Sequence, residues 1–233
     1  MTSPVRAVVF DLDGTLFDHA GASARAVDDF LRSVGVAATP TLHAAWAEAE
    51  ARHFERWRQG EVSFAEQRRA RLTEVLSLAG IHPPRDPDEL DVLFGRYLAA
   101  YRAAWSPFPG SSSLVREVAD LGMAVGVLTD GTEEQQRDKL AVTGLGDLVD
   151  VVCTSEHIGV AKPDRRAFQR VAAELGVPVT ACLFVGDDPQ RDVAGACAAG
   201  MHAVLVDPAR DGDAVVRTRV LSALGGESET GPR

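Results

Sequence analysis

Val5-Arg6-Ala7-Val8-Val9-Phe10-Asp11-Leu12-Asp13-Gly14-Thr15 is the stretch on which the reading of this chain turns. Residues 5–10 are rich in β-branched side chains and end at a turn rich in Asp and Gly, which predicts a strand. Alternate positions of an extended segment share a face, so Asp11 and Asp13 can converge on one site at the end of that strand.

Beyond this stretch the pattern becomes helical, from about residue 18 to 105. Residues of one face recur at three- and four-residue spacing, as in Val27, Phe30, Leu31 and Val34, then His43, Trp46, His53 and Trp57, then Leu72, Val75, Leu76 and Ala79. Breaks fall at Gly35, Gly60, Gly80 and Pro83-Pro84. Ser106-Pro107-Phe108-Pro109-Gly110 then stops helix formation outright. After it, helix and strand alternate. Helices are predicted at 111–121, 133–142, 165–175 and 192–199, and strands at 124–128, near 149–153, at 182–185 and at 202–206. That rhythm predicts an α/β fold: a doubly wound parallel sheet, or Rossmann-like core, from residues 1–17 and 107–224, with an all-helical domain inserted at 18–106. Residues 225–233 lack apolar periodicity and read as a disordered tail.

Composition narrows the function. The 233 residues include 34 Asp and Glu against 24 Lys and Arg, a formal charge of -10. Nucleic-acid and membrane-surface partners are not expected, because both require clustered basic residues. No apolar run approaches the ~18 residues of a membrane span, and residues 1–10 do not resemble a secretory leader. Three separated cysteines without metal-ligand spacing fit a reduced, cytoplasmic setting. Lysine occurs only at 139 and 162.

In a doubly wound sheet, ligands bind at the carboxyl ends of the strands. The residues expected there are Asp11 and Asp13, then Thr129-Asp130-Gly131, Lys162-Pro163, and Gly186-Asp187-Asp188 with Asp192 one helical turn on. Singly, each has a structural reading. Asp13-Gly14 suits a turn, Thr129 a strand-end hydroxyl, Lys162 a solvated loop, Asp187 or Asp188 a helix cap, and Asp192 an exposed helix. Their order and shared edge favour catalysis. Clustered carboxylates repel one another, and a hard divalent cation such as Mg2+ relieves them. A hydroxyl and an ammonium suit a phosphate. One aspartate can act as nucleophile while a second handles the proton.

With those motifs in order, the chain resembles the haloacid dehalogenase superfamily in its phosphatase branch, over residues 5–18 and about 107–207. The resemblance implies a phosphomonoester hydrolase that forms an aspartyl-phosphate on Asp11, with Asp13 as general acid and base. It implies phosphoryl binding by Leu12, Thr129, Asp130 and Lys162. It also implies Mg2+ held by Asp11, Asp13 through its backbone carbonyl, and Asp187, with Asp188 and Asp192 behind them. Family members commonly carry Asn where this chain has Asp130. The consequence depends on whether that residue contributes its backbone N–H or its side chain.

The same comparison separates relatives. Dehalogenases of the superfamily lack the second aspartate, present here as Asp13. Phosphonate-cleaving relatives need an insert lysine, and none precedes Arg137. Sugar-phosphate mutases carry a histidine where this chain has Ser23, with His19 nearby, so a phosphotransferase remains the alternative. The insert resembles a mobile cap of the subgroup containing pyrimidine nucleotide and N-acylneuraminate phosphatases. Its residues Trp46, Phe54, Trp57, Phe64 and Trp105, with His43 and His53, fit helix packing better than ligand contact. Arg52, Arg56 and Arg58 suit either an exposed face or a second anion. The expected partner is a small soluble phosphomonoester.

Overall fold

The computed structural model describes residues 4–225, so the tail expected at 225–233 lies, beyond Gly225, outside the described residues. Five strands form one parallel sheet: β1 (Ala7–Phe10), β2 (Ala124–Thr129), β3 (Val151–Thr154), β4 (Cys182–Gly186) and β5 (His202–Leu205), in the order β3-β2-β1-β4-β5. β1 is central and buried at every position, because helices cover both of its faces. The order reverses between β1 and β4, which places the topological switch point at the ends of those two strands.

In chain order the helices are α1 (His19–Ser33), α2 (Pro40–Arg58), α3 (Phe64–Leu78), α4 (Pro87–Ala103), α5 (Ser111–Asp120), α6 (Glu133–Val142), α7 (Ser155–Ile158), α8 (Arg165–Glu174), α9 (Gly195–Ala199), α10 (Pro208–Asp211) and α11 (Asp213–Leu224). Ala7 and Val9 face one core layer, with Phe168 and Val171 of α8 and Ala196 of α9. Phe10 and Val185 face the other, with Leu114 of α5 and Val216 of α11. This is the two-sided cover expected of a doubly wound sheet.

Contacts divide the chain into two compact units, 1–19 with 105–233 and 20–104. Within the helical unit, Trp46 is buried and tilts against Tyr97 at 4.4 Å between ring centroids, while Trp57 packs edge-on to Phe64 at 5.0 Å. The insert aromatics in that unit therefore do the work of packing. Its polar residues are paired: His43 with Asp28 at 2.8 Å, Arg52 and His53 with Glu74, and Arg56 with Glu61 at 3.1 Å. Burial raises the Tyr97 phenol to about 12.

Some boundaries move by two residues or more from the pattern reading, and some elements were not foreseen. The helix expected at 192–199 starts earlier, as a π-helical turn over Pro189–Ala194 that leads into α9. Asp188 moves the start, because its carboxylate caps the N–H groups of Gln190 and Arg191. β3 begins two residues late, at Val151. α11, where the pattern reading named no element, buries Val216 and Val220. Among the described residues no helix is long and apolar enough to cross a membrane, and all three cysteines are free.

Candidate active site

The β1 strand delivers Asp11 to the carboxyl edge, and the Asp11 N–H donates to the Val185 carbonyl of β4 at 2.8 Å. The chain then turns tightly. The Leu12 carbonyl accepts from the N–H groups of Leu16 and Phe17, at 3.0 and 2.9 Å. Gly14 sits in this turn at φ +93°, and a Cβ on it would lie 2.3 Å from Asp187 Oδ2. Only glycine gives both that φ and that closeness. The Asp187 carboxylate thus rests against the Asp13-Gly14 backbone, and the Thr15 hydroxyl donates to its Oδ1 at 3.4 Å.

Lys162 reaches the same edge from the loop before α8. It is 5% exposed, and its ammonium donates to the Asp11 carboxylate and to Asp192 Oδ1 at 2.7 Å. The other oxygen of Asp192 accepts the Asp188 N–H at 3.1 Å. Asp192 is therefore a buried anchor for Lys162 and for the turn after β4. Asp188 points its carboxylate into its own π-helical turn and to Arg191 Nε at 2.6 Å.

Asp130 stands where family members commonly carry asparagine. Its Oδ1 accepts the Lys162 backbone N–H at 3.0 Å, and its Oδ2 lies 3.9 Å from the Arg191 guanidinium. The side chain ties the Lys162 loop to the β2 edge, with the Arg191 guanidinium near its second oxygen.

The two motif aspartates occupy different electrostatic settings. Burial pushes the Asp11 carboxyl well above its ordinary range, and the Asp192 and Asp187 charges push the same way, against the pull of Lys162. For Asp13, burial also pushes upward, but the Lys139 ammonium, with help from His19 and Gln136, outweighs it and holds the carboxyl low. Burial and then Asp192 raise Asp187 to about 6. Lys162 loses by burial but gains more from Asp11 and Asp192, and stays protonated.

Two residues that motif reading passed over complete the picture. Lys139 and Gln136 sit one turn apart on α6, both 1% exposed. The Lys139 ammonium lies 2.6 and 2.8 Å from the two Asp13 oxygens. The Gln136 amide donates to Asp13 Oδ2 at 3.0 Å and to Thr129 Oγ1 at 2.6 Å. Thr129 thereby accepts from Gln136 and keeps its own O–H to donate. The sequence carried one signal for this pair: Gln136, Lys139 and Leu140 share a helix face, and Lys139 is one of only two lysines.

The donor set fits a hard cation. Asp11, Asp187 and Asp192 each offer an oxygen, all within 4.8 Å of one another, and burial together with the Asp192 charge raises Asp187. Both Asp192 oxygens already have hydrogen-bond donors, which leaves Asp11 and Asp187 as the carboxylates able to face an ion.

A parallel switch-point sheet carrying this aspartate-rich edge defines a class, and comparison with known proteins gives it a name. Residues 5–200 match the haloacid dehalogenase-like hydrolase family, and the chain belongs to it. It is 46% identical over 129 residues to phosphatase MT3486 of Mycobacterium tuberculosis, a match covering 54% of this chain and 57% of that protein. It thus spans little more than half the length of that relative. It is 32% identical to the ribulose-1,5-bisphosphate 5-phosphatase of Halopiger xanaduensis, over 89% of this chain and 87% of that one. The magnesium-bound putative hydrolase YfnB of Bacillus subtilis shares the fold, with a TM-score of 0.75 at 20% identity over 89% of each chain. Solved 2-haloacid dehalogenases share it as well.

Proposed function

We propose that this protein is a magnesium-dependent phosphatase of small soluble phosphomonoesters, with sugar phosphates as the first substrates to test. One observation carries the reading. Asp11 shares its pocket with Lys162 and Asp187, while Asp13, two residues on, is held by a separate cation. Two carboxylates held by different partners can divide the work, one as nucleophile and one as proton-transfer group. The second aspartate also weighs against dehalogenation, whose halide leaving group takes no proton. The Halopiger relative, named for a sugar bisphosphate, supports the substrate class.

In this reading an Asp11 oxygen attacks phosphorus, and the bond from phosphorus to the ester oxygen breaks. Asp13, ionised in the free site, takes up a proton that enters with the substrate and passes it to the departing alcohol. A water molecule then attacks the phosphorus of the aspartyl-phosphate, its proton passes to Asp13, and phosphate leaves as the Asp11 carboxylate re-forms. Thr129 donates its hydroxyl to a phosphoryl oxygen, and Lys162 balances the charge between nucleophile and phosphoryl group. Asp11, Asp187 and the Asp13 carbonyl would hold magnesium, which supplies positive charge that keeps the carboxylates ionised beside an anionic substrate.

The test is phosphate release from a panel of phosphometabolites, with magnesium and with excess chelator. Magnesium-dependent release from one or a few compounds is expected, and Asp11→Asn abolishes it while the far-UV spectrum is unchanged. Silence across the panel from folded, magnesium-loaded protein overturns the reading. Phosphoryl transfer to a second sugar hydroxyl without free phosphate would replace it with a phosphotransferase.

A further inference from the structure

We infer that Lys139, with Gln136 beside it, is a positioning residue for Asp13, so that α6 sets the proton-transfer half of the site. The inference rests on the phosphatase reading and deepens it. Lys139 Nζ meets both Asp13 oxygens, at 2.6 and 2.8 Å, and the Gln136 amide adds a third contact at 3.0 Å. The carboxylate therefore has both oxygens pinned and little freedom to rotate. The Phe17 ring centroid lies 4.9 Å from the ammonium and flanks it with an aromatic face.

Stability alone does not account for this arrangement. The Lys139 side chain is 1% exposed, and that of Asp13 is 27% exposed. Burying an ammonium carries a heavy solvation penalty, and well-packed apolar replacements of buried pairs are often as stable. A buried lysine aimed at a partly open carboxylate instead fixes where that carboxylate can point. The Gln136 amide also spans Asp13 and Thr129, so the proton-transfer group and the phosphoryl donor are set from one helix face. Asp192 holds Lys162 in a comparable way on the other side of Asp11. Each motif side chain that would do chemistry thus has a buried partner from another segment.

The experiment compares kcat/KM for an alkyl phosphate and for nitrophenyl phosphate, since kcat/KM reports only the first phosphoryl transfer. Nitrophenolate leaves without a proton, whereas an alkoxide needs one from Asp13. Lys139→Met is expected to lower kcat/KM about 100-fold on the alkyl ester and less than about 5-fold on the nitrophenyl ester, within the usual range for loss of general acid catalysis. Lys139→Arg, which keeps charge and donors, recovers about 10-fold of that loss. In an Asp13→Ala background, Lys139→Met adds nothing further on the alkyl ester. Should the methionine variant fail to fold, Lys139→Gln retains a donor at the buried position and is expected to show the same split. Equal losses on both esters, or additive losses with Asp13→Ala, overturn the inference. Phosphate release by the unaltered protein tests the phosphatase reading separately, so the two failures are distinguishable.

Discussion

Removing the Lys162 ammonium should expose how much charge the site holds in check. In Lys162→Met the two carboxylates it serves, Asp11 and Asp192, remain with side chains 7% and 2% exposed, close together and without their shared cation. Breaking a buried pair in this way costs about 3–5 kcal/mol, and one kcal/mol moves the melting point of a chain this size by about 2–4 °C. The expected drop at pH 7.5 is therefore roughly 6–20 °C. Its pH dependence has a fixed direction. Without the ammonium, the Asp11 carboxyl moves further above its unfolded value, and such a group stabilises the fold fully only below its unfolded pKa. That contribution is lost as pH rises through the folded pKa. The deficit should thus be largest near neutrality and shrink as pH falls toward about 4. Thermal melts in excess chelator measure it, so that no added ion replaces the lost charge. Asp192→Asn in the same chain should restore part of the loss. A melting point within about 2 °C of the unaltered protein at pH 7.5 would refute the reasoning, as would one deficit at all pH values.

Other outcomes follow from the same geometry. Asp13→Ala should lower kcat/KM by about 10²–10⁴ for alkyl esters and far less for nitrophenyl phosphate, which parallel assays of the two esters will show. Gly14→Ala forces a φ of +93° on a residue with a Cβ and drives that Cβ to 2.3 Å from Asp187 Oδ2. It should cost about 1–2 kcal/mol in backbone strain and weaken magnesium binding, read by denaturant melts and calorimetric titration. Magnesium itself should raise the melting point, by about 2.7 kcal/mol of stabilisation at a hundredfold excess over Kd. Because Asp187 titrates near 6 in the folded chain, the gap between magnesium-loaded and chelated protein should widen between pH 5 and 7 in fluorimetric melts. An unchanging gap would argue against Asp187 as a ligand.

Much of this could be read along the chain because its causes are local. The β-branched run before Asp11 favours a strand, and the breaks at Gly35, Gly60 and Gly80 stand at positive φ as their lack of a Cβ allows. The motif aspartates, Thr129 and Lys162 were legible because strand ends in a doubly wound sheet face one edge, so order along the chain maps to position in space. The shift of the helix start to Pro189 was legible in principle too, since Asp188 followed by proline is a capping signal.

Partnership across the sheet was not legible. Asp13 meets Lys139 at a separation of 126 residues, and the side chains of Lys162 and Asp11 meet across 151. No periodicity encodes such pairs. That the Asp130 carboxylate would accept the Lys162 N–H could not be read from the sequence either, because the two residues are 32 apart in the chain. The need for Gly14 has two parts: its turn is local, but the carboxylate pressing on it comes from β4. Sequence determined the elements and the chemical groups at the edge, because backbone preference and solvent-driven burial act over a few residues. The tertiary structure alone decided which charges neutralise which, because that depends on distances set only when the strands align.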